Sequence, residues 1–286
     1  MIPVCYSCNG KIFEGLALSV LSMAKRTKEP LCVYLLTMDL TDLKPDFFAV
    51  SETQASALEQ MLKAKNPASR VVRYDLRERY LATLGSGKNK NNSYTPYIML
   101  RLYLDELDVP SKVIYLDTDT MLAGDIKDLY DVEMTGFEVA AVRDHMGSFF
   151  INDDYVNSGV LLLNLDEVRR TKLFIKAKEM IKNRRMIMAD QSALNKYVRS
   201  LKFLPRRFNE QRELHPDTVV KHFCKGIRFY PLFFYIYNVK QWQRDAVHKK
   251  LKITYFDEDY AEYDALLKGE KFAAAAKEAT ANHQQK

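Results

Sequence analysis

Hydrophobic positions follow two different spacings along the first third of the chain. Short apolar runs with the length of strands lie at residues 2–6, 31–37 and 71–74. Between them, apolar residues recur every three or four positions at residues 13–24 and 51–65, which is typical of helices. This alternation predicts an α/β fold with a mainly parallel sheet, in which ligands bind beyond the carboxyl ends of the strands.

One stretch, residues 112–120, predicts a buried strand that ends in two carboxylates. Val113, Ile114 and Leu116 form the apolar run, and Asp117 and Asp119 follow it one residue apart. Side chains alternate faces along extended backbone, so the two carboxylates would point the same way. Because like charges repel, a hard divalent cation such as Mg²⁺ or Mn²⁺ would stabilise the pair. The alternative is an ordinary polar turn after a strand.

Later segments continue the alternating pattern. Residues 97–107 predict a helix, and residues 139–142 and 155–164 predict two more strands, the second entered through a polar Asn-Ser-Gly corner. Gly159 in that corner allows backbone or a ligand to approach closely. Asp166 is predicted to cap a basic helix that reaches about residue 183. Asp190 lies near the start of a further helix, where capping alone would also explain it.

Composition limits the kinds of partner. The 286 residues carry 43 basic and 37 acidic side chains, a net charge of +6. This mild excess permits phosphorylated ligands or an anionic membrane surface and gives no reason to expect nucleic acid. Four cysteines in so long a chain favour a reducing compartment. With no segment of about 18 apolar residues and no signal-peptide pattern, a cytoplasmic protein is expected.

Five segments, taken in order, resemble glycosyltransferase family 8, which contains glycogenin and bacterial lipooligosaccharide galactosyltransferases. They are residues 113–119, residues 155–165, Asp190-Gln191 with Leu194-Asn195, Arg207-Phe-Asn209, and His222-Phe-Cys224. The resemblance covers about residues 2–245. It implies a GT-A fold, meaning a single Rossmann-like domain with a mainly parallel central sheet at residues 1–245. Residues 246–286 are expected to form a helical, charged tail, which from Lys249 onward is charged and then alanine-rich and is expected to fray.

The resemblance also implies an activity. It is the metal-dependent transfer of a hexose, with glucose or galactose expected, from a UDP-sugar to a glycan, glycolipid or glycoprotein acceptor, with retention at the anomeric carbon. Asp117, Asp119 and His222 match the metal-binding positions, and imidazole favours Mn²⁺ over Mg²⁺. Gln191, with Asp190, matches the catalytic position, where an amide oxygen would stabilise an oxocarbenium-like transition state. Without the resemblance, a lone histidine such as His222 is more often structural.

Other matched positions surround the donor. The nucleotide-binding ones are Ser7, Asn9, Arg101, Thr118, Arg228 and Lys240, and the sugar-binding ones are Asp144, Asn157 and Ser158. Asn9 replaces a uracil-contacting carboxylate of relatives, but its amide oxygen still accepts a hydrogen bond. The phosphate-contacting lysine of relatives corresponds to Arg228 by spacing or to Lys240 by local sequence, and Lys240 is favoured. Ser192 replaces a second acid, which favours front-face attack over a carboxylate nucleophile.

The unusually aromatic residues 229–237 have two interpretations. They form either a core segment or an apolar lip beside the active site. As a lip they would meet a lipid-linked acceptor at the inner membrane face, in a peripheral contact that Lys249, Lys250 and Lys252 would strengthen.

Two other classes of protein compete with a glycosyltransferase. In a haloacid-dehalogenase-type phosphatase, Asp117 would attack phosphorus and Asp119 would handle protons. That motif normally lies on the first strand of its domain, whereas over a hundred residues precede it here. A non-catalytic sugar-nucleotide-binding protein is suggested by Asn9 and Ser192, and donor hydrolysis would separate it from an enzyme.

Overall fold

The computed structural model describes residues 1–89, 96–186, 188–229 and 234–281. The strands are β1 (Ile2–Ser7), β2 (Leu31–Thr37), β3 (Arg70–Asp75), β4 (Lys112–Leu116), β5 (Thr120–Leu122), β6 (Val139–Arg143), β7 (Val156–Asn164), β8 (Leu201–Phe203), β9 (Val220–His222), β10 (Gly226–Phe229) and β11 (Phe234–Tyr237). Seven of them form the central sheet, in the order β3-β2-β1-β4-β7-β6-β8. Only the two pairings of β7, with β4 and β6, are antiparallel. The predicted α/β fold with a mainly parallel sheet is confirmed.

Helices cover both faces of this sheet. They are α1 (Phe13–Arg26), α2 (Glu52–Lys65), α3 (Arg77–Thr83), α4 (Lys127–Tyr130), α5 (His145–Phe150), α6 (Leu165–Thr171), α7 (Leu173–Asn183), α8 (Ala189–Tyr197), α9 (Arg244–Ala246), α10 (Asp257–Leu266) and α11 (Glu270–Ala281), with 3₁₀ turns at Gly10–Ile12, Pro96–Glu106 and Arg206–Phe208 and a π-helical turn at Val247–Leu251. Alternate residues of β1 enter separate apolar cores. Val4 and Tyr6 face the core of α1, α2 and α11, whereas Cys5 faces the core of Pro96–Glu106, α7 and α8. None of the helices in the described ranges is long and apolar enough to cross a bilayer.

Two local predictions need correction. The predicted basic helix is two helices, because Lys172 adopts a left-handed conformation with φ of 58° between α6 and α7. Its first residues are capped by Asn164, whose side chain accepts a hydrogen bond from the Glu167 N–H at 3.4 Å, and not by Asp166. The segment containing Arg101 is helical as predicted, but it winds as a 3₁₀ helix.

The C-terminal helices pack against the rest of the protein, so the expected fraying is wrong for residues 257–281. The Phe272 ring lies 5.6 Å from the Phe13 ring and 5.7 Å from the Tyr263 ring, measured between centroids. Two hydrogen bonds of 2.8 Å join the Arg26 guanidinium on α1 to the Asp259 carboxylate on α10. The domain boundary placed at residue 245 remains a prediction.

The strands β10 and β11 pair in antiparallel orientation. Phe234, Tyr235 and Ile236 are exposed to solvent by 59%, 47% and 46%. For these three residues the core interpretation of the aromatic segment is wrong, because a core position would bury them. Residues 230–233 lie outside the described part of the chain.

Strand pairing brings distant segments of the sequence to one edge of the sheet. The strand β4 ends at Leu116, and the Asp117 N–H donates to the Gly159 carbonyl of the antiparallel neighbour β7 at 2.7 Å. A second small sheet pairs β5 with β9, which sets His222 opposite Thr120. Since Asp117 and Asp119 lie between β4 and β5, these two pairings place both carboxylates beside the histidine.

Candidate active site

A cavity of about 770 Å³ opens at this edge of the sheet. It is lined by thirteen of the fourteen site residues predicted from the sequence: Ser7, Asn9, Arg101, Asp117, Thr118, Asp119, Asp144, Asn157, Ser158, Asp190, Gln191, His222 and Lys240. For the fourteenth, Arg228, the structure describes the backbone in β10 but not the side chain. Residues more than two hundred positions apart therefore meet in one cavity, although their individual roles remain predictions.

Asp117, Asp119 and His222 form a candidate metal centre. One ligand atom from each lies within 4.8 Å of the others. Gly159 on β7 keeps the space beside them open, because a Cβ atom there would lie 2.2 Å from His222 Cε1 and 2.9 Å from Asp117 Oδ2. Two carboxylates and one imidazole are a ligand set that suits Mn²⁺ and similar divalent ions. The residues present thus fit a divalent cation, whose identity they leave open.

Each oxygen of the Asp119 carboxylate has a nitrogen of another side chain within hydrogen-bond distance. His222 Nε2 lies 3.1 Å from Oδ1, and Lys240 Nζ lies 2.5 Å from Oδ2. Burial opposes ionisation of Asp119, but His222 and Lys240 outweigh it and hold the pKa of the carboxyl well below its usual range. Asp119 is therefore ionised at neutral pH, and the Lys240 ammonium lies at the candidate metal centre.

Arg101 links this centre to Asp190. Its guanidinium donates to Asp117 Oδ1 at 2.9 Å, and Nε lies 3.3 Å from Asp190 Oδ2. The side chain is only 1% exposed and stacks on the Tyr115 ring at 4.0 Å. Burial alone would lower the pKa of Arg101, but the nearby Asp117, Tyr115 and Asp190 raise it by more than burial lowers it. The guanidinium therefore keeps its charge. A helical arginine that gave little signal in the sequence is thus the ion-pair partner of two site carboxylates.

Asp190 is an ion-pair partner, and the capping explanation for it is wrong. The cap position of α8 is Met188, and no side chain caps that helix. Burial raises the pKa of the Asp190 carboxyl, while the Arg101 charge opposes that rise.

The Gln191 amide is already engaged on both sides. Its oxygen accepts hydrogen bonds from the Ser158 backbone N–H at 3.0 Å and the Ser158 hydroxyl at 3.2 Å. Its nitrogen donates to Asp144 Oδ2 at 3.3 Å. The amide oxygen that was expected to face the anomeric carbon therefore contacts Ser158. A direct role at the sugar would require the amide to rotate away from this partner.

At the other end of the cavity, Asn9 closes a short turn. Its side-chain oxygen accepts from the Ile12 N–H at 3.3 Å, and its nitrogen donates to the Asp46 carbonyl at 3.3 Å. The residue is buried and still lines the cavity, as a base-binding residue would.

Asn209 and Gln211 are among the residues near the site that sequence reasoning missed. Asn209 lies between His222 and Asn157, with hydrogen bonds of 3.1 Å and 2.9 Å to them. Gln211 lines the cavity and accepts from the His145 N–H at 2.9 Å. Asn209 belonged to a recognised motif, but no role was assigned to it. That motif was the signal that could have led to both residues, because Gln211 lies two positions after Asn209.

The fold is that of the GT-A class. The fold matches the solved galactosyltransferase LgtC, determined with donor and acceptor sugar analogues, with a TM-score of 0.63 at 17% identity over 93% of this chain and 100% of that one. The sequence profile described as glycosyl transferase family 8 matches residues 3–246. The chain therefore belongs to glycosyl transferase family 8 and is an enzyme of that family.

Two bacterial relatives add to this assignment. "Probable glycosyl transferase Gly" of Streptococcus gordonii is 30% identical over 118 residues, which cover 41% of this chain and 17% of that protein. "Lipopolysaccharide 1,3-galactosyltransferase" of Salmonella typhimurium is 28% identical over 178 residues, covering 55% of this chain and 52% of that protein. The matched segments span about half or less of each relative. The phosphatase interpretation of Asp117 is left without support.

Proposed function

We propose that the protein is a retaining, metal-dependent hexosyltransferase that uses a UDP-sugar, with glucose or galactose as the hexose. The observation that carries this proposal is the meeting of Asp117, Asp119 and His222 at one wall of a cavity whose other polar residues suit a sugar nucleotide. The proposed acceptor is a glycan, glycolipid or glycoprotein.

The proposed roles follow the arrangement of the cavity. Asp117, Asp119 and His222 would hold Mn²⁺ or Mg²⁺, which when bound supplies positive charge to the diphosphate of the leaving UDP. Lys240, at 2.5 Å from Asp119, is close enough to this centre to contact a phosphate as well. Arg101 orients Asp117 from behind through its buried ion pair. Positive charge fixed in advance around a leaving diphosphate favours the transition state.

The sugar would lie between Asp144, Asn157 and Ser158. Asp144 and Asn157 are buried residues that line the cavity and hydrogen-bond to each other at 2.7 Å. Their oxygens suit sugar hydroxyls, which both donate and accept hydrogen bonds. The neighbouring Gln191 fastens Ser158 and Asp144 together. Ser7, Asn9 and Thr118 would contact the nucleotide on the other side.

Retention would proceed by attack on the face from which UDP leaves. A double displacement needs a free carboxylate on the opposite face of the sugar. Asp190 is ion-paired to Arg101, and Ser192, which replaces an acid, hydrogen-bonds to the Tyr155 hydroxyl at 3.0 Å. In the proposed step, the C1–O bond to UDP breaks as the acceptor oxygen forms its bond to C1 on the same face. The acceptor proton passes to the departing phosphate oxygen.

The acceptor is proposed to be lipid-linked and met at the inner face of the membrane, in the cytoplasm. Phe150 and Ile151 line the cavity and are exposed by 59% and 53%. The exposed β11 side chains lie on the strand that pairs with β10, whose Gly226 lines the same cavity. Exposed apolar residues around a cavity favour a ligand with an apolar part. The name of the Salmonella relative, a lipopolysaccharide galactosyltransferase, supports the same class of acceptor.

A screen of UDP-sugars tests the proposal. Purified protein is incubated with UDP-glucose, UDP-galactose and other UDP-sugars, with Mn²⁺, Mg²⁺ or a chelator, and released UDP is measured. We expect slow metal-dependent hydrolysis of one UDP-hexose, and an α-linked product from an α-linked donor once an acceptor is added. UDP release that persists in chelator, or an inverted anomeric configuration by NMR, would contradict the proposal.

A further inference from the structure

We propose that Asn209 is a positioning residue that fixes the tautomer of His222 and connects the candidate metal centre to the sugar end of the cavity. The connection is a chain of three hydrogen bonds from Asp144 through Asn157 and Asn209 to His222. Its consequence for catalysis rests on the function proposed above, but the hydrogen on Nδ1 can be detected without any ligand.

The chain begins at Asp144, where the direction of the first hydrogen bond is fixed. A carboxylate only accepts hydrogen bonds, so Asn157 must turn its amide nitrogen toward Asp144 Oδ2, at 2.7 Å. The Asn157 oxygen then faces the other way and accepts from the Gly159 backbone N–H at 2.9 Å. A backbone N–H can only donate, so a second neighbour independently requires the same orientation of Asn157.

The orientation of Asn157 determines that of Asn209. Since Asn157 Oδ1 can only accept, Asn209 must present its amide nitrogen, which lies 2.9 Å away. Asn209 Oδ1 is then directed at His222 Nδ1, at 3.1 Å. A carbonyl oxygen cannot donate, so Nδ1 of His222 must carry the hydrogen.

A hydrogen on Nδ1 leaves the lone pair of the neutral imidazole on Nε2. Nε2 is the ring atom that faces Asp119, at 3.1 Å, so without a cation it donates a hydrogen to that carboxylate, and a bound cation would take the place of this hydrogen. The chain thus presents the correct nitrogen to a cation that His222 would share with Asp119. Outer partners that fix the tautomer of a ligating histidine typically affect metal affinity about 10- to 100-fold.

Because its residues are buried, the hydrogen-bond chain from Asp144 to His222 must rearrange as a unit. Asn157, Asn209 and His222 are exposed by 7%, 1% and 2%. Because little water reaches these atoms, turning one amide leaves two unfavourable contacts, and the neighbouring groups must turn with it. Asp144 also accepts from the Gln191 amide at 3.3 Å. A donor sugar that hydrogen-bonds to Asp144 or Asn157 would therefore act on the same chain that orients His222.

Two substitutions separate the two bonds of Asn209. Asn209→Asp keeps an acceptor for His222 Nδ1 but cannot donate to Asn157, whereas Asn209→Leu removes both bonds. The first measurement is ¹H–¹⁵N NMR of the histidine rings in the metal-free protein, with the His222 signals assigned by their loss in His222→Gln. We expect hydrogen on Nδ1 in the wild type and in Asn209→Asp, whereas in Asn209→Leu the hydrogen should remain on Nε2, where the Asp119 carboxylate accepts it.

The second measurement is Mn²⁺ binding followed by the EPR signal of the free ion. We expect roughly 10- to 100-fold weaker binding in Asn209→Leu, and binding within about threefold of wild type in Asn209→Asp. In Asn209→Asp, added UDP-hexose should tighten Mn²⁺ binding less than in the wild type. The control is Asn164→Asp, which loses a comparable amide bond to the Met134 carbonyl at the far end of β7 and should leave Mn²⁺ binding unchanged.

Several outcomes would overturn the proposal. One is hydrogen on Nδ1 in all three proteins, and another is equal Mn²⁺ affinity in all three. Equal weakening in both Asn209 variants, with the Asn164 control intact, would mean that Asn209 only fills space. Wild-type protein that shows the expected ring signals but binds neither Mn²⁺ nor Mg²⁺ would instead refute the metal-dependent function and leave the tautomer assignment standing.

Discussion

Two arginines of this protein, the half-buried Arg26 and the buried Arg101, pair with aspartates in opposite ways. Arg26 makes two bonds of 2.8 Å to Asp259, whose side chain is fully buried. Arg101 divides its donors between Asp117 and Asp190, and the Asp117 side chain remains 27% exposed to the cavity. The closed pair satisfies its carboxylate and fastens α10 to α1. The open pair leaves carboxylate oxygens available for a ligand.

The difference shows how one type of interaction serves either stability or binding. A buried charge is costly unless its partner and its hydrogen bonds are complete, as they are around Asp259. At the open pair, the three site carboxylates of Asp117, Asp119 and Asp190 share two permanent cations, Arg101 and Lys240, and Gly159 leaves space beside them. Such incomplete neutralisation in a cavity is characteristic of a site completed by a ligand. Matched substitutions in the two groups can test this distinction.

The largest effect is expected from Asp119→Asn, beside the open pair. The variant loses one proposed metal ligand, and the amide is a poorer partner for a divalent ion, so metal-dependent UDP release should fall by at least about a hundredfold. The melting temperature should also fall, because Lys240 loses its ion-pair partner, but by less than in Asp259→Asn, since Lys240 remains 23% exposed to the cavity. Both quantities are measured on the same preparation, and undiminished turnover would remove Asp119 from the metal centre.

The same chemical change in the closed pair, Asp259→Asn, should have the reverse effect: a large loss of stability and little change in UDP release. It leaves the Arg26 guanidinium without its bidentate partner, which should lower the free energy of unfolding by about 3 kcal/mol. For a chain of this size that corresponds to a fall of roughly 6–12 °C in melting temperature. UDP release measured well below the melting temperature should stay near the wild-type rate. If Asp259→Asn instead lost activity and kept its stability, the closed pair would not serve stability as described.

Gly159→Ala tests the space beside Asp117 and His222, next to the open pair. The added Cβ would approach His222 Cε1 to 2.2 Å, so the imidazole must shift and Mn²⁺ binding should weaken by at least about tenfold. Gly269→Ala is the matched control, because its Cβ would meet only the Leu266 carbonyl oxygen at 3.4 Å. Calorimetric titration with Mn²⁺ compares the two variants. Equal affinities would show that Gly159 does not maintain the site.

The smallest effect is expected from Asp264→Asn, which breaks an exposed arginine pair. Arg244 binds Asp264 at 2.7 and 2.8 Å, with the same bidentate geometry as the closed pair, but the Asp264 side chain is 52% exposed. Water and salt screen such a pair, so the loss at pH 7 should be about 0.2–1 kcal/mol. A loss as large as that of Asp259→Asn would show that geometry matters more than burial.

The pH dependence of that difference has a definite sign. The hydrogen bond from Arg244 holds the pKa of Asp264 below its usual value. The pair therefore contributes stability above the ordinary pKa of an aspartate, about 3.9. That contribution is lost as the pH falls through the lowered value in the folded protein. Urea unfolding of wild type and Asp264→Asn from pH 7 to pH 2.5 should show the two curves converging at the acidic end.

Local sequence pattern determined most of the secondary structure of this protein. The strand predicted at residues 31–37 has those bounds in the structure, and the predicted helix at residues 51–65 spans Glu52–Lys65 with Ser51 as its cap. Periodicity and capping act over a few residues, so they can be read without the fold. The C-terminal helices were misjudged because Phe272 is stabilised by Phe13, which is remote in sequence.

The residue types of the candidate site were also contained in the sequence, through ordered motifs that include Asp117, Asp119 and His222. The tertiary structure alone decided how those residues are oriented. The Gln191 oxygen faces Ser158, and Asn209 faces His222, because each amide must satisfy buried partners from other segments of the chain. The direction of a buried hydrogen bond depends on which donors and acceptors surround it in space. No local pattern of residues specifies that surrounding.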